Sequence, residues 1–474
     1  MDKNYDVVII GAGIGGLVCG CYLAKKGRKV LIIEQHTKPG GYCTSFYRKS
    51  YRFDVGVRYV GSVRKGVLNK IFKELNLLNR ITFSQFNPTD TIITNESVTK
   101  IYSDFDSTLK EFKKNFPREK KPIDKFFKLI TNTDIAKIYS QVKNKTFDEI
   151  LNTFFPRKSI KLTLGALLKN LALAPSEMPA FNAIVFFREF ILDSGFYPIG
   201  GAQIIPDVIV EEFKNSGGQL VLENKINKIK VTDNKVRAVI DTNDNEIRTK
   251  CVVSNADAFE TFEQLIDIKS SEKKVVNSLK PTSSMFVIYT GIKNKLSEFL
   301  NDSSDIWYIG QENDRDENFV SRKYNLLISF PYLHDSSMHR YLSTIQIYSF
   351  APFKDAEFWN KNRYEVESKI LQQTKSILTF FDKLNIEVSV NATPQTFFNY
   401  TLNQNGSCFG AMPNLNDSNF LKNTTSIEGL FLAGHWCNNG KDVGVSGAAL
   451  SGRKCAEIVL KKLGKNWRYG MIRL

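Results

Sequence analysis

Three glycines and one carboxylate near the start of the chain carry the clearest chemistry. The run Gly11-Ala12-Gly13-Ile14-Gly15-Gly16 places Gly11, Gly13 and Gly16 in the spacing G-x-G-x-x-G. In that spacing the first glycine makes a tight turn. The second admits a pyrophosphate to the backbone, and the third lets a helix approach a strand. The helix behind the turn offers free N–H groups and its positive dipole end to phosphate. Glu34 follows Gly16 by 18 residues. A carboxylate there accepts hydrogen bonds from ribose hydroxyls and repels a 2′-phosphate, which selects an unphosphorylated dinucleotide. The motif needs its context, and the context is complete. An apolar strand over residues 6–10 precedes it, a small-residue helix over 15–26 follows, and a second strand over 29–34 closes a βαβ unit.

Other reactive side chains are sparse. There are four histidines, His36, His334, His339 and His435, and no evident acid–base set around them. The seven cysteines include no CxxC pair, so neither a disulfide framework nor a zinc site is indicated, and a reducing compartment is expected. Cys43 and Cys437 read as inert packing thiols. Arg58 has two readings: a surface ion pair, which is the simpler, or a group facing cofactor or substrate headgroup.

The elements that must position these residues come from a chain of 474 residues, 42% hydrophobic and 24% charged. That is globular composition and room for two or three domains. A second α/β stretch opens at Pro198-Ile199-Gly200-Gly201, runs through a helix ended by Gly217-Gly218, and reaches a buried strand before Ser254-Asn255-Ala256-Asp257. A third consists of a strand over 430–433 and a helix over 447–463, for which Ser446 is a good N-cap. Between these pieces lie two insertions. The first is rich in Lys, Asn and Phe and helical in spacing; the second alternates as a mixed sheet does, with a helix over 365–381.

Gly11 to Gly16, Glu34, Gly40-Gly41, Pro198 to Gly201, Ser254 to Asp257 and Ala433-Gly434 with Ser451-Gly452-Arg453 together resemble the phytoene desaturase-like flavoproteins. That family includes bacterial-type phytoene desaturases, carotenoid isomerases and retinol saturases. The resemblance implies an α/β fold: a discontinuous, glutathione-reductase-like Rossmann domain for FAD, with an inserted α+β substrate domain carrying a mixed sheet and helices. It divides the chain into an FAD-binding domain at 1–66, 197–270 and 400–474, and a substrate or cap domain at 67–196 and 271–399. It implies cofactor contacts at Gly11, Gly13, Ile14, Gly15, Gly16, Glu34, Gln35, Gly41, Tyr42, Ile226, Gly434, His435, Val445, Ser446 and Gly447. His435 is also the one candidate for a catalytic, proton-transferring side chain. Two positions depart from the family: Tyr42 stands where an arginine is usual, and His435 where an aspartate is usual.

The implied reaction is FAD-dependent desaturation, saturation or isomerisation of a carbon–carbon double bond in a long apolar polyene or isoprenoid, by hydride transfer with flavin N5. Such chemistry needs orientation and an apolar tunnel more than side-chain acids. Two alternatives use the same fold: a flavin amine oxidase-like enzyme, and a non-catalytic lipid carrier of the GDP-dissociation-inhibitor type.

Partners follow from charge. With 65 Lys+Arg against 49 Asp+Glu, the net charge of +16 favours anionic partners. No nucleic-acid recognition motif is present, so nucleic acid is not expected. The segment 158–192, apolar with Lys158, Lys161 and Lys169 around it, fits either a buried helical core or an interfacial membrane helix. The C-terminal Trp467, Tyr469, Met471 and Ile472 fit a membrane-touching tail or a frayed end. No signal peptide or spanning helix is read, so the expected address is the cytosol or, peripherally, the cytosolic face of a membrane.

Overall fold

The structure is a computed structural model. It describes residues 4–131, 134–310, 319–338, 342–415, 420–437 and 444–464, with Trp467 and Tyr469. His339, Met471 and Ile472 fall outside the described residues.

Val7–Ile10 and Val30–Ile33 are unbroken apolar runs, and every residue in them is buried. Such runs suit the middle of a parallel sheet covered on both faces. They are the third and fourth strands of a five-stranded sheet ordered Leu430–Leu432, Val252–Ser254, Val7–Ile10, Val30–Ile33, Gln219–Val221. Every pairing in it is parallel. One sheet therefore gathers strands from all three α/β pieces. The helix Ile14–Lys25 packs against the sheet and against helices Ile204–Asn215 and Gly444–Lys462. A three-stranded antiparallel sheet stands beside it. Its tightest turn, Asp233-Asn234, has φ of 52° and 56°, the primed hairpin geometry that Asn and Asp tolerate.

The two insertions build one substrate domain. Its seven-stranded sheet runs Ile386–Ala392, Ser284–Ile292, Ser343–Ala351, Leu326–Ser329, Asp305–Tyr308, Asp90–Ile93, Val98–Ile101. The last two strands come from the first insertion. Asp90–Ile93 joins Asp305–Tyr308 in parallel, which makes the sheet mixed, as expected. Helices between Phe105 and Asp193 cover one face. Phe112, Phe126, Phe127, Phe147, Phe155 and Phe187 fill the core beneath them.

Several expectations are corrected. Residues 67–81 belong with the cofactor domain, because Val67, Leu68, Ile71, Phe72, Leu77 and Ile81 pack in one core with Val7 and Leu17. Likewise Val276, in helix Ser271–Ser278, packs with Val252 and Leu430, so the cut at 270 falls too early. The final helix begins at Gly444, which puts Ser446 inside its first turn and not at its N-cap. The helix expected at 365 begins at Ala356, where Asp355 accepts the Phe358 N–H at 2.8 Å as N-cap. In the segment 158–192, Ile160, Leu164, Leu167, Leu168 and Phe187 are buried in the cap core, so the core reading holds for that apolar face. Trp467 and Tyr469 pack their rings against Tyr22 at 5.4 and 5.2 Å, so these two are neither frayed nor free.

Candidate active site

The glycine turn sits at the C-terminal end of the strand Val7–Ile10. Gly11 takes φ +91°, which side chains rarely adopt, and turns the chain into the helix. A Cβ on Gly16 would come 2.3 Å from the Gly11 carbonyl oxygen. No side chain fits there, so Gly16 is fixed by helix–strand packing and not by ligand contact. Glu34 ends the next strand. Its carboxylate accepts the backbone N–H groups of Ala12 (2.7 Å) and His36 (3.1 Å), tying the two strand ends together.

These residues border a cleft. Among the expected contacts, Gly11, Gly13, Ile14, Gly15, Glu34, Gln35, Gly41, Tyr42, Ile226, Gly434, His435 and Val445 line it. Gly16 lies beneath the turn. Ser446 and Gly447 face a second cavity instead. Tyr42 donates its hydroxyl to the Ser407 carbonyl at 2.8 Å, so the position of the missing arginine is used to clamp a loop. His435 is enclosed by protein yet opens on the cleft, with Asn403 Oδ1 3.4 Å from Nε2. Burial pushes its pKa down to about 4. At neutral pH the ring is uncharged, with one nitrogen to donate and one to accept a hydrogen bond. Burial also pushes the thiols of Cys43, Cys408 and Cys437 up, so they stay protonated.

Among the cleft residues that the sequence reading did not name as contacts are His36, Tyr400, Asn255 and Asp257. His36 stacks on Tyr400, with ring centroids 4.0 Å apart and planes 13° from parallel. Asn255 sets its amide against the glycine turn, Nδ2 lying 3.4 Å from the Gly11 carbonyl. Asp257 accepts backbone N–H groups from Phe259 (2.6 Å) and Gln404 (2.7 Å). Burial outweighs these bonds and lifts its pKa to about 7. Only Asn255 and Asp257 carried a signal, through the Ser254 to Asp257 motif.

The motifs at Phe53-Asp54 and Pro198 to Gly201 meet each other. Asp54 accepts from Ser45 Oγ (2.5 Å), Tyr197 OH (2.5 Å) and the Ala202 N–H (2.9 Å). Arg52 pairs with Asp335, which also accepts the Gly200 N–H. This buried network joins cofactor and substrate domains beside the cleft.

The second cavity abuts the first. Both are lined by Gly56, Val57, Met285, Phe409, Gly444 and Val445. Its wall is mainly apolar, with Met178, Val185, Phe186, Phe190, Leu327 and Phe350. Its volume of about 210 Å³ exceeds the ~150 Å³ of an engineered apolar cavity that admits benzene. Arg58 is part of this wall, which corrects the surface reading. It is 8% exposed and pairs with Asp305 and, at 3.5 Å, with Asp90. Its guanidinium lies 4.2 Å from the Tyr59 ring centroid and 5.4 Å from that of Trp307. Burial pushes Asp90 up to about 7, against the pull of Arg58.

The geometry fits FAD. A cleft floored by glycine backbone, with the Glu34 carboxylate and a buried Ile226 in its wall, leads to the N-terminus of the final helix. Comparisons with known proteins agree. The all-trans-retinol 13,14-reductase of Danio rerio is 25% identical, the match covering 98% of this chain and 87% of that protein. The chloroplastic prolycopene isomerase of Arabidopsis thaliana is 26% identical, with 98% and 84% covered. A crystal structure of an oxidoreductase from Methanosarcina mazei shares the fold, with a TM-score of 0.72, 17% identity, and 95% of this chain and 99% of that one covered. The flavin-containing amine oxidoreductase family model matches residues 14–460. The chain belongs to that family and is an FAD-dependent oxidoreductase.

Proposed function

We propose that the enzyme desaturates, saturates or isomerises a carbon–carbon double bond of a long apolar polyene or isoprenoid. The junction of the two cavities carries this reading: the dinucleotide cleft meets a mainly apolar cavity at Gly56, Val57, Gly444 and Val445. The names of the two sequence relatives, a retinol reductase and a prolycopene isomerase, support it. When bound, FAD supplies a hydride acceptor or donor at N5. The chain does the rest. Gly11, Gly13 and Glu34 would hold the ADP half, Tyr42 and His435 the middle, and residues 444–447 the flavin edge. The start of the final helix offers N–H groups and a positive dipole end there. The cavity wall orients an apolar chain and keeps water from it.

The family description favours a second reading, oxidation of an amine. The aliphatic and phenylalanine wall of the cavity favours the polyene. Purified protein is expected to show a two-banded flavin spectrum and to release FAD on denaturation. Under anaerobic conditions, all-trans-retinol and prolycopene are then tested against putrescine, with polyene products followed by chromatography. A changed double bond supports the proposal; flavin reduction by the amine alone overturns it. We further propose peripheral contact with the cytosolic face of a membrane, on the strength of the +16 charge and the apolar substrate.

A further inference from the structure

Resting on the polyene reading, we infer that the substrate carries a neutral oxygen, as a hydroxyl or carbonyl, and that Asn170 binds it inside the apolar cavity. Asn170 lies in the short 3₁₀ turn Lys169–Leu171, directly after the helix Lys158–Leu168, and lines the cavity. Arg58 Nη2 donates to its Oδ1. A guanidinium has donors only, so this contact fixes which end of the amide is oxygen. The other end, Nδ2, is a donor shielded from solvent with no protein partner. A buried donor left unpaired is costly, and an oxygen on a bound ligand would satisfy it.

Charge decides which oxygen. Arg58, Lys169 and Glu189 line the cavity, and Arg58 is paired with Asp305 and Asp90, so the two cations are matched by at least two acids. The region has no surplus of positive charge to receive a carboxylate ligand. A pure hydrocarbon would leave Nδ2 unpaired. A neutral acceptor is the group that meets both conditions. Arg58 is then a positioning residue, since it holds the amide through Oδ1 and is itself held by Asp305 and Asp90.

The test uses FAD-loaded protein and one C20 polyene chain in three forms: the alcohol retinol, the corresponding acid, and the hydrocarbon lacking oxygen. Binding is read by quenching of tryptophan fluorescence, Trp307 standing in the cavity wall. The alcohol is expected to bind about tenfold tighter than the hydrocarbon, and the acid no tighter than the hydrocarbon. Asn170→Leu should weaken the alcohol about tenfold and leave the hydrocarbon unchanged. Asn170→Ala repeats the measurement in a smaller side chain, with retained FAD as the check on folding. Equal binding of alcohol and hydrocarbon to the unaltered enzyme overturns the inference and means that the amide meets only water. The acid binding tightest overturns the neutral-oxygen assignment. A variant that keeps the preference for alcohol, or weakens both ligands equally, overturns the role of Asn170. Failure of all three forms to bind overturns the polyene reading itself, and the inference with it.

Discussion

Glu34 holds two backbone N–H groups while lining the cleft, so its carboxylate organises the loop as well as the ligand. Charge-assisted bonds of this kind contribute about 1.5–3 kcal/mol. Glu34→Ala is therefore expected to raise the dissociation constant for FAD about 10- to 100-fold, measured by titrating apoprotein with FAD. An unchanged constant would remove Glu34 from the site. Asp90 gives a second prediction at this scale. Its pKa is about 7 in the fold against an ordinary 3.8, because burial disfavours the carboxylate. The folded protein thus holds a proton between about pH 4 and 7 that the unfolded chain releases. The stability that goes with that proton is full below pH 4, is lost as pH rises, and is gone above about 7. Asp90→Asn keeps a neutral group in place, so its melting temperature should fall less than the unaltered protein's between pH 4.5 and 7.5. Parallel melting curves across that range would count against a proton on Asp90. Gly11, Gly13 and Glu34 were legible in sequence because their work is done by backbone and by spacing along one βαβ unit. Asn170 was not, and Arg58 only as one of two readings, since they meet across 112 residues and their pairing depends on how two domains close.

At the scale of elements, the contact between the first and last helices sets the cleft. A Cβ on Gly452 would lie 2.1 Å from the Gly15 carbonyl oxygen and 3.1 Å from the Cys19 nitrogen. Ser451 beside it accepts the Gly434 N–H at 3.1 Å, and Arg453 donates to Glu74 at 2.8 and 3.0 Å. The Ser451-Gly452-Arg453 motif is thus a packing device that holds the two helix ends of the cofactor site together. Gly452→Ala should cost about 1–3 kcal/mol by overpacking. It should lower the urea midpoint and speed FAD release; an unchanged midpoint would show that the helices have room to part. Helix interiors were readable from sequence, and their starts less so. Ser446 carries the usual capping signal, yet the helix begins two residues earlier, at Gly444. Asp355 is a true cap that lies well before residue 365, where the sequence reading starts the helix.

For the whole molecule, the central feature is one substrate domain assembled from two distant insertions. Sequence patterns marked both insertions and the family resemblance joined them in one domain; what neither gave was the joint itself, the parallel pairing of Asp90–Ile93 with Asp305–Tyr308. That union places Asp90 and Asp305 side by side on neighbouring strands, where Arg58 from the cofactor domain meets both. The same folding that builds the cavity withdraws the apolar faces of Lys158–Leu168 and Ala180–Asp193 into the cap core. No described helix is long and apolar enough to cross a membrane. Attraction to a bilayer would then rest mainly on the +16 charge. Electrostatic attraction of exposed lysines is screened over about 10 Å at 0.1 M salt and about 3 Å at 1 M. Sedimentation with vesicles containing anionic lipid should therefore capture the protein at low salt and release most of it at about 1 M, with little capture by zwitterionic vesicles. Binding that persists at high salt, or ignores lipid charge, would point instead to an inserted apolar surface and overturn the electrostatic account.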